Sequence, residues 1–193
     1  MITGVILAGG LSKRMGQDKG LLELNGVTMV EHIHEKLLPV ANPIILVTNR
    51  PESYHKVAQT LAVQMIEDEI PQLGPLSGIH AALGKSGNPY IMAIACDMPY
   101  ADPAWFIAKA QDFMHEGYQL IIGQTTDGRL QPLHAIYHKD SRETIERLLL
   151  AQDLKISNLV NQVKAKIIPL EERQDIFYNM NTPEDYRTAK GKA

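Results

Sequence analysis

Cations and a glycine pair crowd one short stretch near the N-terminus. From Leu7 it reads Leu-Ala-Gly-Gly-Leu-Ser-Lys-Arg-Met-Gly-Gln-Asp-Lys-Gly. The apolar run before it, Ile2 to Leu7, reads as a buried strand. Gly9 and Gly10 break that strand, leave backbone N–H groups unpaired and let a ligand approach closely. Small Ala8 adds room. Bare N–H groups beside Lys13, Arg14 and Lys19 make a site for phosphates. Two common phosphate motifs do not fit. The dinucleotide fingerprint needs G-x-G-x-x-G opening into a helix, and the P-loop needs a lysine directly after its last glycine. Here Lys19 comes three residues after Gly16.

A second chemical group is Cys96-Asp97-Met98-Pro99. A carboxylate directly after a buried strand and stopped by proline has a fixed position. Asp97 could cap a turn. It could equally hold magnesium, which takes one or two carboxylates and completes its shell with phosphates and water. The phosphate loop upstream favours the metal. Cys96 is the only cysteine. It ends an apolar strand, where cysteine behaves as a small hydrophobe rather than a nucleophile. His134 and His138 are four apart, a metal-binding spacing on a helix. Their surroundings look extended, which points to packing instead. Asp68 sits between two glutamates after a short strand and reads on its own as a solvated acidic turn.

These residues need elements to position them. A capping box at Thr28 and Glu31 predicts a helix over 28–38. Strands are predicted at 44–47, 63–66, 90–96, 120–123, 130–138 and 167–168. Helices are predicted at 51–61, 79–83, 103–114, 140–150 and 156–163. Pro51 and Pro103 stand at first helical positions, and Asp102 is the cap for the second. Asp140 with Glu143, and Thr182 with Asp185, read as two further boxes. Strands alternate with helices up to about residue 115, the pattern of a largely parallel sheet covered on both faces. Ligands in such sheets lie outside the carboxyl ends of the strands. Gly9 to Lys19, Asn49, Asp68 and Asp97 all fall at such ends.

Composition narrows the classes. The chain has 193 residues, a net charge of −3, 45% hydrophobic and 21% charged residues. That suits one globular core and gives no basic excess for nucleic acid. No apolar run reaches membrane-spanning length, and no charged segment precedes the first strand. The expected location is the cytoplasm.

The stretch from Leu7 to Lys19 resembles the signature loop of the nucleotidyltransferases with a glycosyltransferase-A-like fold. That signature is Leu-Ala-Gly-Gly-x-x-x-Arg-Met-Gly-x-x-Lys, and each specified position is matched. Gly74-Pro75-Leu76-Ser77-Gly78, Cys96 to Pro99 and Asn179-Met180-Asn181-Thr182-Pro183-Glu184 narrow the resemblance to the molybdenum cofactor guanylyltransferases. It implies an α/β, three-layer, Rossmann-like single domain over 1–193, with a mostly parallel central sheet and helices on both faces. The N-terminal half would bind nucleotide and the C-terminal half the acceptor. It implies transfer of GMP from GTP to the terminal phosphate of molybdopterin, with release of pyrophosphate. Arg14, Lys19 and Asp97 would be catalytic. Leu7, Ala8, Gly9, Gly10, Lys19, Asn49, Asp68, Gly74, Gly78 and Asp97 would surround GTP. Asp97, with Asn181, would hold Mg²⁺, and Asn179 and Asn181 would meet the acceptor. Arg129, Lys155, Lys164 and Lys166 are further cations in the acceptor half. A monomer is expected, passing product to a molybdenum insertase and molybdoenzyme chaperones, with no nucleic-acid or membrane partner. Sister enzymes share the loop: the CTP:molybdopterin cytidylyltransferases and the sugar-phosphate nucleotidyltransferases. A non-catalytic nucleotide-binding regulator is the alternative from another class.

Overall fold

The structure is a computed structural model and describes residues 1–8, 18–70, 73–171 and 173–192. The chain begins with β1 (Ile2–Leu7), then a hairpin of β2 (Glu23–Leu24) and β3 (Val27–Thr28) turning through Asn25 and Gly26. Helix α1 (Met29–Leu37), β4 (Ile44–Val47), α2 (Pro51–Leu61), β5 (Gln64–Ile66), α3 (Pro75–Lys85) and β6 (Tyr90–Ala95) follow. The second half runs α4 (Pro103–His115), β7 (Leu120–Gln124), β8 (Leu130–His138), α5 (Arg142–Leu150), α6 (Ile156–Val160), β9 (Ala165–Pro169) and α7 (Pro183–Lys192).

Seven strands form one sheet in the order β5-β4-β1-β6-β8-β7-β9. β5, β4, β1 and β6 are parallel, as the alternating pattern requires. β8 inserts antiparallel between β6 and β7, and β9 pairs parallel with β7. The chain moves outward from β1 to β5 and then returns to β6 on the other side of β1. That reversal opens a crevice at the carboxyl ends of β1 and β6, where such sheets bind ligands.

Both faces of the central strands are buried, so the strands read as unbroken apolar runs rather than alternating ones. Ile6, Leu46, Met92 and Ile94 face α1, α2 and α4 through Val30, Ile33, Leu37, Tyr54 and Phe106. Val5, Ile45, Ile91 and Ala93 face α3, α5 and α6 through Ile79, Leu83, Ile145, Leu149 and Leu159. The mixed α/β fold with a mostly parallel sheet and helices on both faces is therefore observed.

Local expectations hold where a side chain does the capping. Thr28 and Glu31 form a reciprocal box, and Asp102 accepts from the Trp105 N–H at 3.0 Å. Two do not hold. α3 begins at Pro75 rather than Ile79, because Gly74 caps it through backbone conformation alone, at φ 76°. α5 is not opened by an Asp140–Glu143 box. Lys139–Ser141 is a 3₁₀ turn in which His138 Nδ1 accepts the Asp140 N–H, and α5 starts after it. α6 also stops at Val160, short of Val163.

His134 lies on β8, extended as expected, with its ring edge-on to Phe106 and Phe177 at 5.2 Å each. It is fully buried and neither ring nitrogen has a hydrogen-bond partner. Burial disfavours its charged form and pushes its pKa from 6.5 down to about 4. The unfolded chain therefore binds a proton that the native one refuses. Stability should fall as pH drops from about 6.5 to about 4, by about 3 kcal/mol from this residue. Chemical denaturation across that range should show the slope, and His134→Leu should flatten it.

Candidate active site

The crevice is built from segments distant in sequence. At the end of β1, the Ala8 N–H donates to the Val47 carbonyl at 2.8 Å, and the Cys96 N–H to the Leu7 carbonyl at 3.0 Å. Leu7 and Ala8 are therefore fastened in the sheet and nearly buried. The Ala8 N–H is therefore not free to meet a ligand. Gly9, Gly10, Lys13 and Arg14 lie outside the described residues.

Asp18 caps a short 3₁₀ turn over Lys19–Leu21 by accepting the Gly20 N–H. Lys19 Nζ donates to Asp97 Oδ2 at 2.9 Å and to Asn181 Oδ1 at 2.8 Å. Asp97 follows β6 after a single residue, as the strand-end motif anticipated. Its other oxygen, Oδ1, is buried without a hydrogen-bond partner among the described residues. The Asn179-Met180-Asn181 segment is stitched to the same place, since the Met180 N–H donates to the Asp97 carbonyl at 2.9 Å. Met180 is fully buried beneath this stitch. Asp185 accepts from the N–H groups of Asn181 and Thr182 and ties the segment to the start of α7. Asn179 turns back to donate to the Phe177 carbonyl.

Two oxygens, one charged and one an amide carbonyl, thus converge on a single cation. A third oxygen beside them is buried and unmatched. Hard oxygen donors of this kind fit Mg²⁺. No group of three histidine, cysteine or acidic side chains is placed to hold a metal among the described residues. The remaining positions of a magnesium shell would fall to substrate phosphates and water, as is usual for this ion.

The other side of the crevice carries Asn49 and Asp68. They are locked reciprocally. Asn49 Nδ2 donates to Asp68 Oδ2 at 2.8 Å, and the Asp68 N–H to Asn49 Oδ1 at 3.0 Å. Burial raises the Asp68 pKa, and the Asn49 hydrogen bond partly offsets this. Glu69 points elsewhere and pairs with Arg142 of α5 at 2.7 Å. Of the three adjacent acids, only Asp68 is bonded to Asn49. Gly78 lies one turn into α3, where a Cβ would come within 3.1 Å of Leu7 and Val47 and 3.3 Å of Asp68 Oδ1. Glycine there lets α3 close against β1 and β4. The first turn of α3, from Gly74, points its N–H end at this region.

The cations of the acceptor half do not gather. Lys164 Nζ donates to the Glu116 carbonyl and Lys166 lies over Phe113, both near the amino end of β9. That end is opposite the crevice. Lys155 is exposed ahead of α6. Arg129, at the β7–β8 turn, pairs with Asp127 at 2.9 Å and is 81% exposed. Sequence reasoning missed Asp18, Arg50 and Tyr54: Arg50 and Tyr54 both donate to the Asp18 carboxylate beside Lys19. It also missed a cleft of about 420 Å³ lined by Lys36, Tyr100, Asp102 and Arg173. Cys96 is buried and its thiol is pushed up by burial, consistent with a packing role.

Comparison with known proteins bears on the family of the chain. Residues 4–166 match the model of the MobA-like NTP transferase domain. The chain is 35% identical over 193 residues to a "Probable molybdenum cofactor guanylyltransferase" of Carboxydothermus hydrogenoformans, covering 96% of this chain and 93% of that protein. It is 31% identical over 186 residues to the "Molybdenum cofactor guanylyltransferase" of Yersinia pestis, covering 95% and 92%. Among solved structures, the molybdopterin-guanine dinucleotide biosynthesis protein A of Archaeoglobus fulgidus superposes with a TM-score of 0.84, at 24% identity over 99% of this chain and 98% of the other. Lys19, an aspartate after β6 and an asparagine before α7 meet at one end of the sheet in a chain matched over most of its length. The chain belongs to the MobA-like NTP transferase family.

Proposed function

We propose that the chain is a molybdenum cofactor guanylyltransferase, transferring GMP from GTP to the terminal phosphate of molybdopterin and releasing pyrophosphate. The product is the molybdopterin guanine dinucleotide cofactor. The observation that carries this reading is the convergence of Asp97 and Asn181 on the Lys19 ammonium at the sheet's switch point. The relatives named above supply the substrate class.

The attacking phosphate is already ionised at neutral pH, so the reaction needs no general base. Catalysis then reduces to alignment in line with the leaving pyrophosphate and to stabilising charge. Asp97, with Asn181, would hold Mg²⁺, which supplies charge neutralisation to the phosphate oxygens. Lys19 sits beside this point and would serve the α-phosphate as a point charge. Arg14 would hold the β- and γ-phosphates, since its planar fork suits them. Gly9 and Gly10 would offer backbone N–H groups to the same phosphates. Asn49, Asp68 and the Gly74–Gly78 turn of α3 would frame the nucleoside, with Leu7 and Ala8 as its floor. Asn181 would face the acceptor, and Asn179 could join it only by releasing the Phe177 carbonyl to which it donates. Among the described residues no helix is long and apolar enough to cross a membrane. On the proposed reading the enzyme would be a cytoplasmic monomer that hands its product to an insertase and a chaperone.

The direct test is incubation with Mg²⁺, molybdopterin and each nucleoside triphosphate in turn. Pyrophosphate should appear with GTP and require the acceptor. Release with CTP instead would move the chain to the sister cytidylyltransferases, and no release with any nucleotide would favour the non-catalytic regulator.

A further inference from the structure

Both described ends of the phosphate loop are fastened to one turn, Thr48-Asn49-Arg50, at the end of β4. On the entry side, Thr48 Oγ1 donates to the Ala8 carbonyl at 3.1 Å. On the exit side, Arg50 Nη1 donates to Asp18 Oδ2 at 3.4 Å. The turn is itself closed by the Arg50 N–H donating to Thr48 Oγ1 at 3.2 Å. Its middle residue, Asn49, holds Asp68.

Asp18 is the more elaborate of the two fastenings. Its Oδ1 accepts from the Gly20 N–H and from the hydroxyl of Tyr54. Tyr54 is fully buried in the first turn of α2. Burial raises its pKa, so the hydroxyl stays a donor. Gly20 lies directly against the same ring, and a Cβ there would sit 3.0 Å from Tyr54 Cε1. Lys19 is therefore bracketed by two residues that both seat on Tyr54. A long, flexible side chain is given a fixed root, and its ammonium reaches Asp97 and Asn181.

We propose that Asp18 is a positioning residue for nucleotidyl transfer. Held by Tyr54 and Arg50, it fixes the backbone from which Lys19 reaches the transferred phosphate, and it joins that position to the turn carrying Asn49. This rests on the reading of Lys19 as a phosphate-contacting group. Asp18 itself touches no substrate in this arrangement. Its side chain is 13% exposed and all its described hydrogen bonds are internal.

The test is a double-mutant cycle on kcat for GTP-dependent pyrophosphate release, with GTP affinity measured alongside. Misplacement of a reacting group by about 1 Å costs up to about 100-fold, so Asp18→Asn should lower kcat about 10- to 100-fold. KM for GTP should change far less than kcat. In a Lys19→Met background, Asp18→Asn should cost almost nothing further, because there is no ammonium left to position. Tyr54→Phe keeps the ring in the core and removes only the donor, so it should act in the same direction and also vanish in Lys19→Met. If Asp18→Asn does not fold, the Tyr54→Phe arms decide the question. Equal losses in both backgrounds would reduce Asp18 to a stabilising residue and overturn the proposal, as would wild-type kcat in Asp18→Asn and Tyr54→Phe. A fully active Lys19→Met would remove the underlying reading of Lys19 and the proposal with it, a result separable from the other two because it needs no Asp18 variant.

Discussion

Asp97→Asn is expected to lower kcat by about 10³-fold while leaving the fold in place, because removing one preorganised charge-stabilising group has effects of this order. The substitution keeps the size of the side chain and the backbone carbonyl that accepts from Met180. What it removes is the charge. Oδ2 is the oxygen bonded to Lys19, and Oδ1 is the buried oxygen with no hydrogen-bond partner among the described residues. An amide offers one oxygen and no net charge, and its NH₂ group would compete with Lys19 and any divalent cation for the remaining acceptor, Asn181 Oδ1. The Lys19–Asp97 ion pair is partly screened, with its side chains 17% and 16% exposed, so its loss should move Tm by only a few degrees. Steady-state kinetics at saturating Mg²⁺, paired with a thermal melt, checks both halves. A near wild-type rate with an unchanged melt would place the metal elsewhere.

Much of this site is legible in the sequence because its parts are local signals. An aspartate after a strand and a pair of asparagines before a capped helix each announce themselves within a few residues. The caps at Thr28 and Asp102 are legible for the same reason, since donor and acceptor lie three residues apart. The start of α3 is harder. Its cap is the backbone conformation of Gly74, which leaves no side-chain signature, and the one available signal was Pro75 at a first helical position. At α5, Asp140 looked like a cap, but His138 takes its N–H in a tighter turn. Asp18 was illegible for a different reason. Its partners Arg50 and Tyr54 are 32 and 36 residues away, and only the fold brings α2 against the loop. The insertion of β8 between β6 and β7 is similar, because strand patterns say what is buried and not which strand is the neighbour.

Base choice should respond to Asp68 more than to any other residue outside the phosphate loop. Guanine presents N1–H and N2–H₂ as adjacent donors, with O6 as an acceptor beside them. An ionised carboxylate only accepts, so it matches the first two. Asn49 occupies Asp68 Oδ2 and holds the carboxylate in one orientation, while Oδ1 points towards Gly78 and the first turn of α3. A partner for O6 must come from a free N–H. Ala8 and Ser77 are excluded, because their N–H groups donate to Val47 and Gly74. Among the described residues, helix geometry leaves the Leu76 N–H, at the second position of α3 behind Pro75, to supply it. Adenine reverses the pattern at N1 and position 6 and would leave these groups unpaired. A site built to hydrogen-bond one edge rejects an analogue lacking it by about 10⁴-fold, so GTP should be preferred over ATP by that order. CTP should be disfavoured by its smaller ring and the missing donor pair. Asp68→Ala should collapse most of this preference while slowing GMP transfer far less, since Lys19 and Asp97 are untouched. The measurement is a competition among GTP, ATP and CTP with wild type and Asp68→Ala side by side, scored by the ratio of kcat/KM values. A preference that survives in Asp68→Ala would take Asp68 out of the base pocket and leave its pair with Asn49 a purely structural tie.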